Sequence, residues 1–297
     1  MSPLSDRELA LAQQHGVAIV AQQDPGYPGA LQTIPDPPLA LYIKGTLDAA
    51  DRAAVAIVGS RSASAYGLSC AQRLASDLAI HGITVVSGLA RGIDGAAHRG
   101  ALAAGGRTIA VLGSGLARLY PPEHRQLAEE IVEQGALISE YPMETEPFGF
   151  NFPRRNRLIS GLSLGVVVVE AASRSGALIT VDCALEQGRD VFAVPGPMTS
   201  ATSHGTHRLL KQGARLVTSV DDIIEELGLE PPVARPAALE ESEASVFACV
   251  TGAQPRYLDA IASETGLAVA EVSSALLQLE LKQLVRQLPG KQFIRKR

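Results

Sequence analysis

The chain of 297 residues is 46% hydrophobic and 19% charged, a composition typical of folded globular proteins and not of disordered ones. No apolar stretch approaches the ~18 residues that a membrane helix needs, and the N-terminus lacks the basic-then-apolar order of a signal peptide. We therefore expect a cytoplasmic protein. The three cysteines are far apart, which favours free thiols over disulfides or a zinc site.

The net charge of −5 conceals an uneven distribution of charge along the chain. Residues 51–220 carry 16 Lys and Arg against 14 Asp and Glu, whereas residues 221–243 carry eight acids and one arginine. Because the central part is nearly neutral, bulk charge neither supports nor excludes a polyanionic ligand.

Residues 1–50 are predicted to form a short lead-in that packs on the main domain. A helix is expected from Asp6 to Gln14, followed by proline-rich turns and an extended segment from Leu39 to Ile43.

From Val55 onward, short apolar strands alternate with helices. The predicted strands are Val55–Val58, Thr84–Val86, Thr108–Leu112, Ala136–Ile138, Val166–Glu170, Val191–Val194 and Arg215–Val217. The predicted helices are Tyr66–His81, Asp94–Ala104, Pro122–Gln134, Arg155–Leu162, Gly176–Gln187 and Thr206–Gln212. Strands that are apolar throughout are buried on both faces, so we expect a Rossmann-like α/β domain over residues 51–228, with a mostly parallel sheet and helices on both faces.

The last part of the chain is predicted to form a separate small domain. Residues 229–243 are acidic and proline-rich, as in a linker, and residues 244–297 are predicted to fold as three helices and a hairpin, which together make a winged helix. The third helix, Ala268–Leu281, contains no Lys or Arg, which argues against sequence-specific recognition of duplex DNA.

Glycine-rich loops follow several predicted strands. Ligands of such sheets bind at the carboxyl ends of the strands, where glycine lets backbone N–H groups approach a ligand and arginine can bind phosphate. The loops are Gly59-Ser60-Arg61, Gly88 through Arg91 to Gly92, Gly113-Ser114-Gly115, and Ala172 through Arg174 to Gly176. The sequence therefore predicts a phosphate-binding groove.

Two sequence motifs resemble those of enzymes, but their surroundings in the sequence do not fit. The pattern G-x-S-x-G around Ser163 follows a helix and precedes a strand, the reverse of the order in hydrolases. Arg118 stands where a dinucleotide fingerprint starting at Gly113 needs a small residue.

A basic cluster, formed by Arg154, Arg155 and Arg157 with Asn156, follows an aromatic loop that contains Phe150 and Phe152. Aromatic and arginine side chains together suit single-stranded nucleic acid, because bases stack on the rings and phosphates pair with the cations. Packing of Phe150 and Phe152 in the core is the alternative interpretation, and the sequence leaves it open.

The motifs together closely resemble the DNA-processing protein A family (DprA, also called Smf). The resemblance rests on Ile57 to Arg61, Ser87 to Asp94, Gly113 to Pro121, Ser139 to Pro142, Phe152 to Ser163 and Ser175 to Thr180, and it spans Tyr27 to Val217.

The resemblance implies a non-enzymatic, homodimeric single-stranded DNA-binding protein. Such proteins protect incoming DNA during natural transformation, load the RecA recombinase onto it and help to displace single-strand-binding protein. Carried over position by position, the DNA-binding residues are Gly59, Ser60, Arg61, Gly88, Arg91, Arg155, Asn156, Arg157, Arg174, Ser175 and Gly176, with the last six lining one pocket.

The sequence departs from this family in two respects. The first 50 residues leave little room for the N-terminal helical domain of many relatives, and Ala172 stands where some relatives have lysine.

The main rival is a nucleotide phosphoribohydrolase of the lysine-decarboxylase-like type, but its P-G-G-x-G-T-x-x-E loop is not continued after Pro195-Gly196. A winged-helix transcription factor is the third interpretation, and the uncharged third helix argues against it.

Overall fold

The structure is a computed structural model that describes residues 6–229, 241–250, 255–281, 284–288 and 290–295. The chain divides into two compact units, Met1–Val233 and Ala234–Arg297. Most of the segment predicted as a linker, residues 229–243, lies outside the described residues.

The first unit contains a nine-stranded sheet. Its strands are β1 (Ala18–Ala21), β2 (Ala40–Gly45), β3 (Ala54–Val58), β4 (Thr84–Ser87), β5 (Thr108–Val111), β6 (Ala136–Ser139), β7 (Gly165–Val168), β8 (Asp190–Ala193) and β9 (Arg215–Leu216). The α-helices of this unit are α1 (Asp6–Gln14), α2 (Gly29–Gln32), α3 (Ala65–Ile80), α4 (Ile93–Ala103), α5 (Arg125–Gln134), α6 (Asn151–Gly161), α7 (Ala177–Glu186), α8 (His204–Lys211) and α9 (Val220–Glu226).

The strand order is β1-β2-β6-β5-β4-β3-β7-β8-β9. The pairs from β6 through to β9 are parallel, whereas β2 pairs antiparallel with both β1 and β6. The sheet is therefore mostly parallel, as predicted. The segment predicted as a lead-in contributes its two antiparallel strands.

The core lies on both faces of this sheet. In β3, Ala54, Ala56 and Val58 belong to one buried cluster, which also contains residues of α6, α7 and α8. The alternate residues Val55 and Ile57 belong to another, which contains residues of α3, α4 and α9. This is the two-residue period of a strand that is buried on both sides. Because full burial of a large apolar side chain contributes about 1.5–3 kcal/mol, these central strands anchor the fold. The predicted Rossmann-like architecture is confirmed.

The strand order also locates the natural binding crevice. Successive strands after β3 are added on one side as β4, β5 and β6, and the chain then crosses to the other side of β3 as β7, β8 and β9. The loops after β3 and β7 therefore leave the sheet in opposite directions. In open α/β sheets, such a switch point opens a crevice at the carboxyl ends of the strands.

The second unit is a small α+β domain. Its elements are α10 (Glu241–Cys249), β10 (Arg256–Tyr257), α11 (Leu258–Thr265), α12 (Val269–Leu281), β11 (Val285–Leu288) and β12 (Gln292–Arg295). The strands form an antiparallel sheet in the order β10-β12-β11. Val246, Ile261, Leu276 and Phe293 share its buried core. The predicted three helices and hairpin of a winged helix are confirmed.

Candidate functional site

A cleft of about 800 Å³ opens at the switch point between β3 and β7. Its walls come from the loops that follow β3, β4 and β7, together with the start of α6 and the segment that precedes it. The following predicted site residues line it: Gly59, Ser60, Arg61, Arg155, Asn156, Arg174, Ser175 and Gly176.

The loop after β3 presents Arg61 to the cleft. The backbone N–H of Ser60 donates to the carbonyl oxygen of Glu170 (2.7 Å), and a Cβ at Gly59 would lie 2.9 Å from that same oxygen, so this turn requires glycine. The buried Glu170 carboxylate accepts hydrogen bonds from the backbone N–H (2.9 Å) and hydroxyl (2.6 Å) of Ser64, the N-cap of α3. The loop is thus fixed at both ends, and the Arg61 side chain remains exposed.

The loop after β4 brings a carboxylate to the cleft. Gly92 has φ 73°, and its Cβ position would lie 2.2 Å from the Ser60 carbonyl oxygen, so only glycine fits this approach of the two loops. Asp94 follows in the first turn of α4 and accepts a hydrogen bond from the Ala90 N–H (3.3 Å). Burial raises the pKa of the Asp94 carboxyl, and the positive charge of Arg155 opposes that shift.

Arg155 is buried, at 3% exposure, and its guanidinium is used by the protein itself. Its Nη1 donates to the carbonyl oxygens of Gly88 (2.8 Å) and Val111, at the ends of β4 and β5. A Cβ at Gly88 would lie 2.5 Å from Nη1, so glycine is needed for this contact. Burial lowers the pKa of Arg155 to about 10, with Asp94 opposing the shift, so the side chain is still charged at neutral pH. Arg155 therefore braces two strand ends beneath the cleft.

The loop after β7 supplies a second exposed cation and a helix start. Arg174 is exposed, and α7 begins after Gly176, which makes no side-chain cap. The Ser175 hydroxyl accepts from the Ala177 N–H (3.3 Å), and the Asn156 amide donates to the Gly176 carbonyl oxygen (3.3 Å). The positive end of the α7 dipole therefore lies at the cleft, which favours an anion there.

Aromatic rings complete the cleft wall. The ring of Phe152 lines the cleft, with the guanidinium carbons of Arg61 and Arg155 at 5.2 Å and 5.9 Å from its centroid. Tyr120 packs against it with ring centroids 5.7 Å apart. Phe150 is 64% exposed, which rules out the core-packing alternative for that residue, and Phe152 is partly exposed at the cleft.

Three predicted site residues do not line the cleft. Gly88 lies behind Arg155, and Arg91 forms an exposed ion pair with Glu123. Arg157 is bound by both oxygens of Glu140 (2.6 and 2.7 Å) and donates to the Asp36 carbonyl oxygen (2.9 Å). The expectation that Arg157 shares a pocket with Arg174 is therefore corrected, because α6 turns Arg157 toward Glu140.

Sequence reasoning assigned no role to Asp94 or Tyr120, although both line the cleft. Each lies within a motif that carries the family resemblance, and that position was the one indication in the sequence that these two residues belong to the site. The cleft's three arginines, Arg61, Arg155 and Arg174, outnumber its one carboxylate, so it is positively charged overall. It can take a phosphate at its exposed arginines and stack a planar ring on Phe152.

Within the described residues, no group of three or more His, Cys, Asp or Glu side chains could hold a metal ion. No single described helix is long and apolar enough to cross a bilayer; the pair Leu258–Thr265 and Val269–Glu280, bent by 111°, reaches the required length and composition only together.

Comparison with known protein families gives two matches that together span most of the chain. Residues 18–228 match the family described as DNA recombination-mediator protein A, and residues 230–291 match the DprA winged helix domain. Protein Smf of Escherichia coli is 46% identical over 278 residues, which cover 89% of this chain and 74% of that protein. DNA processing protein DprA of Bacillus subtilis is 42% identical over 226 residues, 76% of each chain.

Two solved structures resemble the chain at the level of the fold and of the sequence. The X-ray structure of DNA processing protein A from Streptococcus pneumoniae has a TM-score of 0.70 at 43% identity, covering 75% of this chain and 78% of that chain. A structure of DNA processing protein A from Helicobacter pylori, described for its single-stranded DNA binding mode, has a TM-score of 0.64 at 30% identity. It covers 71% of this chain and 95% of that chain.

Proposed function

The chain belongs to the DNA recombination-mediator protein A (DprA/Smf) family, and on that premise we propose that its cleft binds single-stranded DNA. The observation that carries the proposal is the placement of two exposed arginines, Arg61 and Arg174, in one cleft with the ring of Phe152. A phosphodiester strand offers anions to the arginines, and an unpaired base can stack on the ring. Bases of a duplex are already paired and stacked, so the cleft should prefer single strands.

We assign different roles to the cleft residues. The turn at Gly59 and Ser60 positions Arg61 to bind phosphate, and Arg174 binds phosphate together with Ser175 and the start of α7. Asn156 supports the second loop through its bond to the Gly176 carbonyl oxygen. Arg155 acts indirectly, because its donors are directed at the Gly88 and Val111 carbonyl oxygens. Arg91 lies outside the cleft, where it would meet only a strand that extends beyond it.

In the cell, we propose that the protein acts in the cytoplasm as a homodimer that protects incoming single strands during natural transformation. It would load the RecA recombinase onto them and displace single-strand-binding protein. Family membership supports this role, as do the names of relatives such as the DNA processing proteins DprA of Bacillus subtilis and Streptococcus pneumoniae. DNA binding would belong to residues 51–228, with the winged helix, residues 244–297, as a separate domain.

We further propose that the protein is not an enzyme. The best nucleophile motif supports this view, since Ser163 is buried and its hydroxyl donates to the Ile159 carbonyl oxygen (2.9 Å) and not to a base. His207 lies near the Pro195-Gly196 loop. Its Nε2 donates to the Gly196 carbonyl oxygen (2.9 Å), so this ring nitrogen is bonded to the backbone. Incubation with nucleoside monophosphates should release no free base, and measured turnover would favour the phosphoribohydrolase alternative.

The binding proposal is tested by fluorescence anisotropy with a labelled oligonucleotide, single-stranded or annealed to its complement, across a salt series. The single strand should bind more tightly than the duplex, and its affinity should fall steeply as salt rises, because bound phosphates release counterions. Equal affinity for the duplex, or an affinity that does not depend on salt, would count against the cleft as a single-strand site.

A further inference from the structure

Two phenylalanine rings lie outside the cleft and face solvent. Phe148 and Phe150 are 52% and 64% exposed, and their rings are stacked on each other, with centroids 5.6 Å apart and planes 4° from parallel. Large apolar side chains that stay exposed together mark a binding surface more often than scattered ones do. In this chain only 4% of the residues are aromatic, so two adjacent exposed rings are a concentrated feature.

The segment that carries these rings is held in place by the protein. The Phe148 N–H donates to the Glu146 carbonyl oxygen (2.8 Å), and the Asn151 N–H donates to that of Phe148 (2.9 Å). The Asn151 side chain, which is only 2% exposed, also donates to the Glu146 carbonyl oxygen (3.4 Å). Glu146 pairs in turn with Arg118 (3.4 Å). The ring pair is thus a preformed surface, so a ligand that binds it need not order the loop first.

This surface is continuous with the cleft. Pro147 and Gly149, the neighbours of Phe148, line the cleft itself, and Phe152, two residues after Phe150, lies inside it. Arg154, in the first turn of α6, is exposed and forms no ion pair within the described part of the chain. A strand that leaves the cleft past Gly149 therefore meets the two stacked rings. The exposed Arg154 follows Phe150 by four residues in the protein chain.

We propose that the Phe148–Phe150 pair is a second stacking surface, which binds an unpaired base of the same strand just outside the cleft. The rings are already stacked on each other at an offset-parallel spacing, so the base lies on the outer face of the pair and not between the rings. Stacking of this kind accepts any base, because each base has a flat π face. The proposal rests on the proposed function, since it needs the strand to occupy the cleft, and it lengthens the bound segment beyond the cleft.

The test combines abasic sites in the DNA with changes to the rings. A labelled oligonucleotide carries one abasic nucleotide, moved along its length, and binding is measured by anisotropy. The wild-type protein should bind the oligonucleotide about 5- to 150-fold more weakly when the abasic site lies at one or two positions next to the nucleotide held in the cleft. The double variant Phe148→Leu/Phe150→Leu keeps apolar side chains without a π face, so it should bind the intact strand more weakly by that factor and lose the penalty at those positions alone.

Controls separate this proposal from the proposed function. Phe148→Tyr/Phe150→Tyr restores aromatic rings and should bind as the wild type does. Leu185→Ala removes a side chain of similar exposure (63%) from the far end of α7 and should have no effect. If Arg61→Ala weakens binding but the leucine variant shows the wild-type abasic profile, the second stacking surface is refuted and the cleft stands. If the wild type itself fails to bind single strands, the proposed function is refuted.

Discussion

Arg61 and Arg155 both line the cleft, yet only Arg61 should contribute directly to phosphate binding. Arg61→Ala removes an exposed guanidinium, whereas Arg155→Gln removes a charge that is 3% exposed and that the Gly88 and Val111 carbonyl oxygens already engage. Arg155→Gln keeps amide donors for those carbonyl groups. The two variants should therefore differ in the salt dependence of single-strand binding, even if both bind more weakly.

The expected size of the difference follows from counterion release. Each phosphate contact to a single strand contributes about 0.7 to the slope of log affinity against log salt. Over a tenfold range of salt, the wild type should thus lose about fivefold more affinity than Arg61→Ala does. A lost charge-assisted hydrogen bond, at about 1.5–3 kcal/mol, should weaken binding about 10- to 150-fold at low salt.

The assay is anisotropy with one labelled oligonucleotide in a series from 50 mM to 500 mM salt. Arg155→Gln should keep the wild-type slope. Arg73→Ala removes an arginine on α3 that is 83% exposed, pairs with Asp77 (3.7 Å) and does not line the cleft; it is the matched control for loss of one positive charge and should also keep the wild-type slope. A wild-type slope in Arg61→Ala, or a reduced slope in Arg155→Gln, would refute this division of roles.

Three further predictions concern stability. Gly92→Ala should lower the free energy of unfolding by about 1–3 kcal/mol, because φ is 73° and the new Cβ would lie 2.2 Å from the Ser60 carbonyl oxygen; urea unfolding measures it, and an unchanged midpoint would contradict it. Arg157→Ala should destabilise by about 2–4 kcal/mol in the same assay, since it leaves the Glu140 carboxylate without its two-point partner, while the salt slope of DNA binding stays at the wild-type value. Burial lowers the pKa of His98 from 6.5 to about 3, so the unfolded chain takes up a proton in that range and the folded protein does not. The free energy of unfolding should therefore fall, as pH drops from 6.5 to 3, by up to about 1.4 kcal/mol per pH unit more than in His98→Gln; parallel curves for the two proteins would exclude this role of His98.

The sheet was predictable because its central strands are apolar throughout. Residues such as Val55 and Val166 mark strands that are buried on both faces, and their bounds agree with the structure to within one or two residues. β1 (Ala18–Ala21) was missed because it is short and pairs only with β2 at the sheet edge. No helix was predicted for α9 (Val220–Glu226), which is short and rich in acidic residues, although Val220 and Ile223 are buried in the core.

The basic cluster on α6 shows why site residues are harder to predict than strands. Arg154, Arg155 and Arg157 are close in sequence but have three different surroundings: solvent, the strand ends beneath the cleft, and the Glu140 carboxylate. The pairing with Glu140 depends on how two distant segments meet, which no local pattern encodes. The burial of Arg155 could be predicted from the sequence. It shares a helical face with Leu158, Ile159 and Leu162, which follow it at spacings of three, four and seven residues and are buried.

Domain limits and the DNA-binding roles of individual residues remain predictions, while membership of the family and the fold are confirmed. The central claim is that a single strand lies in the cleft of the first unit. Photocrosslinking of an oligonucleotide that contains 5-iodouracil, followed by mass spectrometry of the peptides, tests this claim most directly. Crosslinks should fall within residues 147–156, which include Phe152, and should weaken in Arg61→Ala. Crosslinks confined to residues 241–295 of the second unit would contradict it.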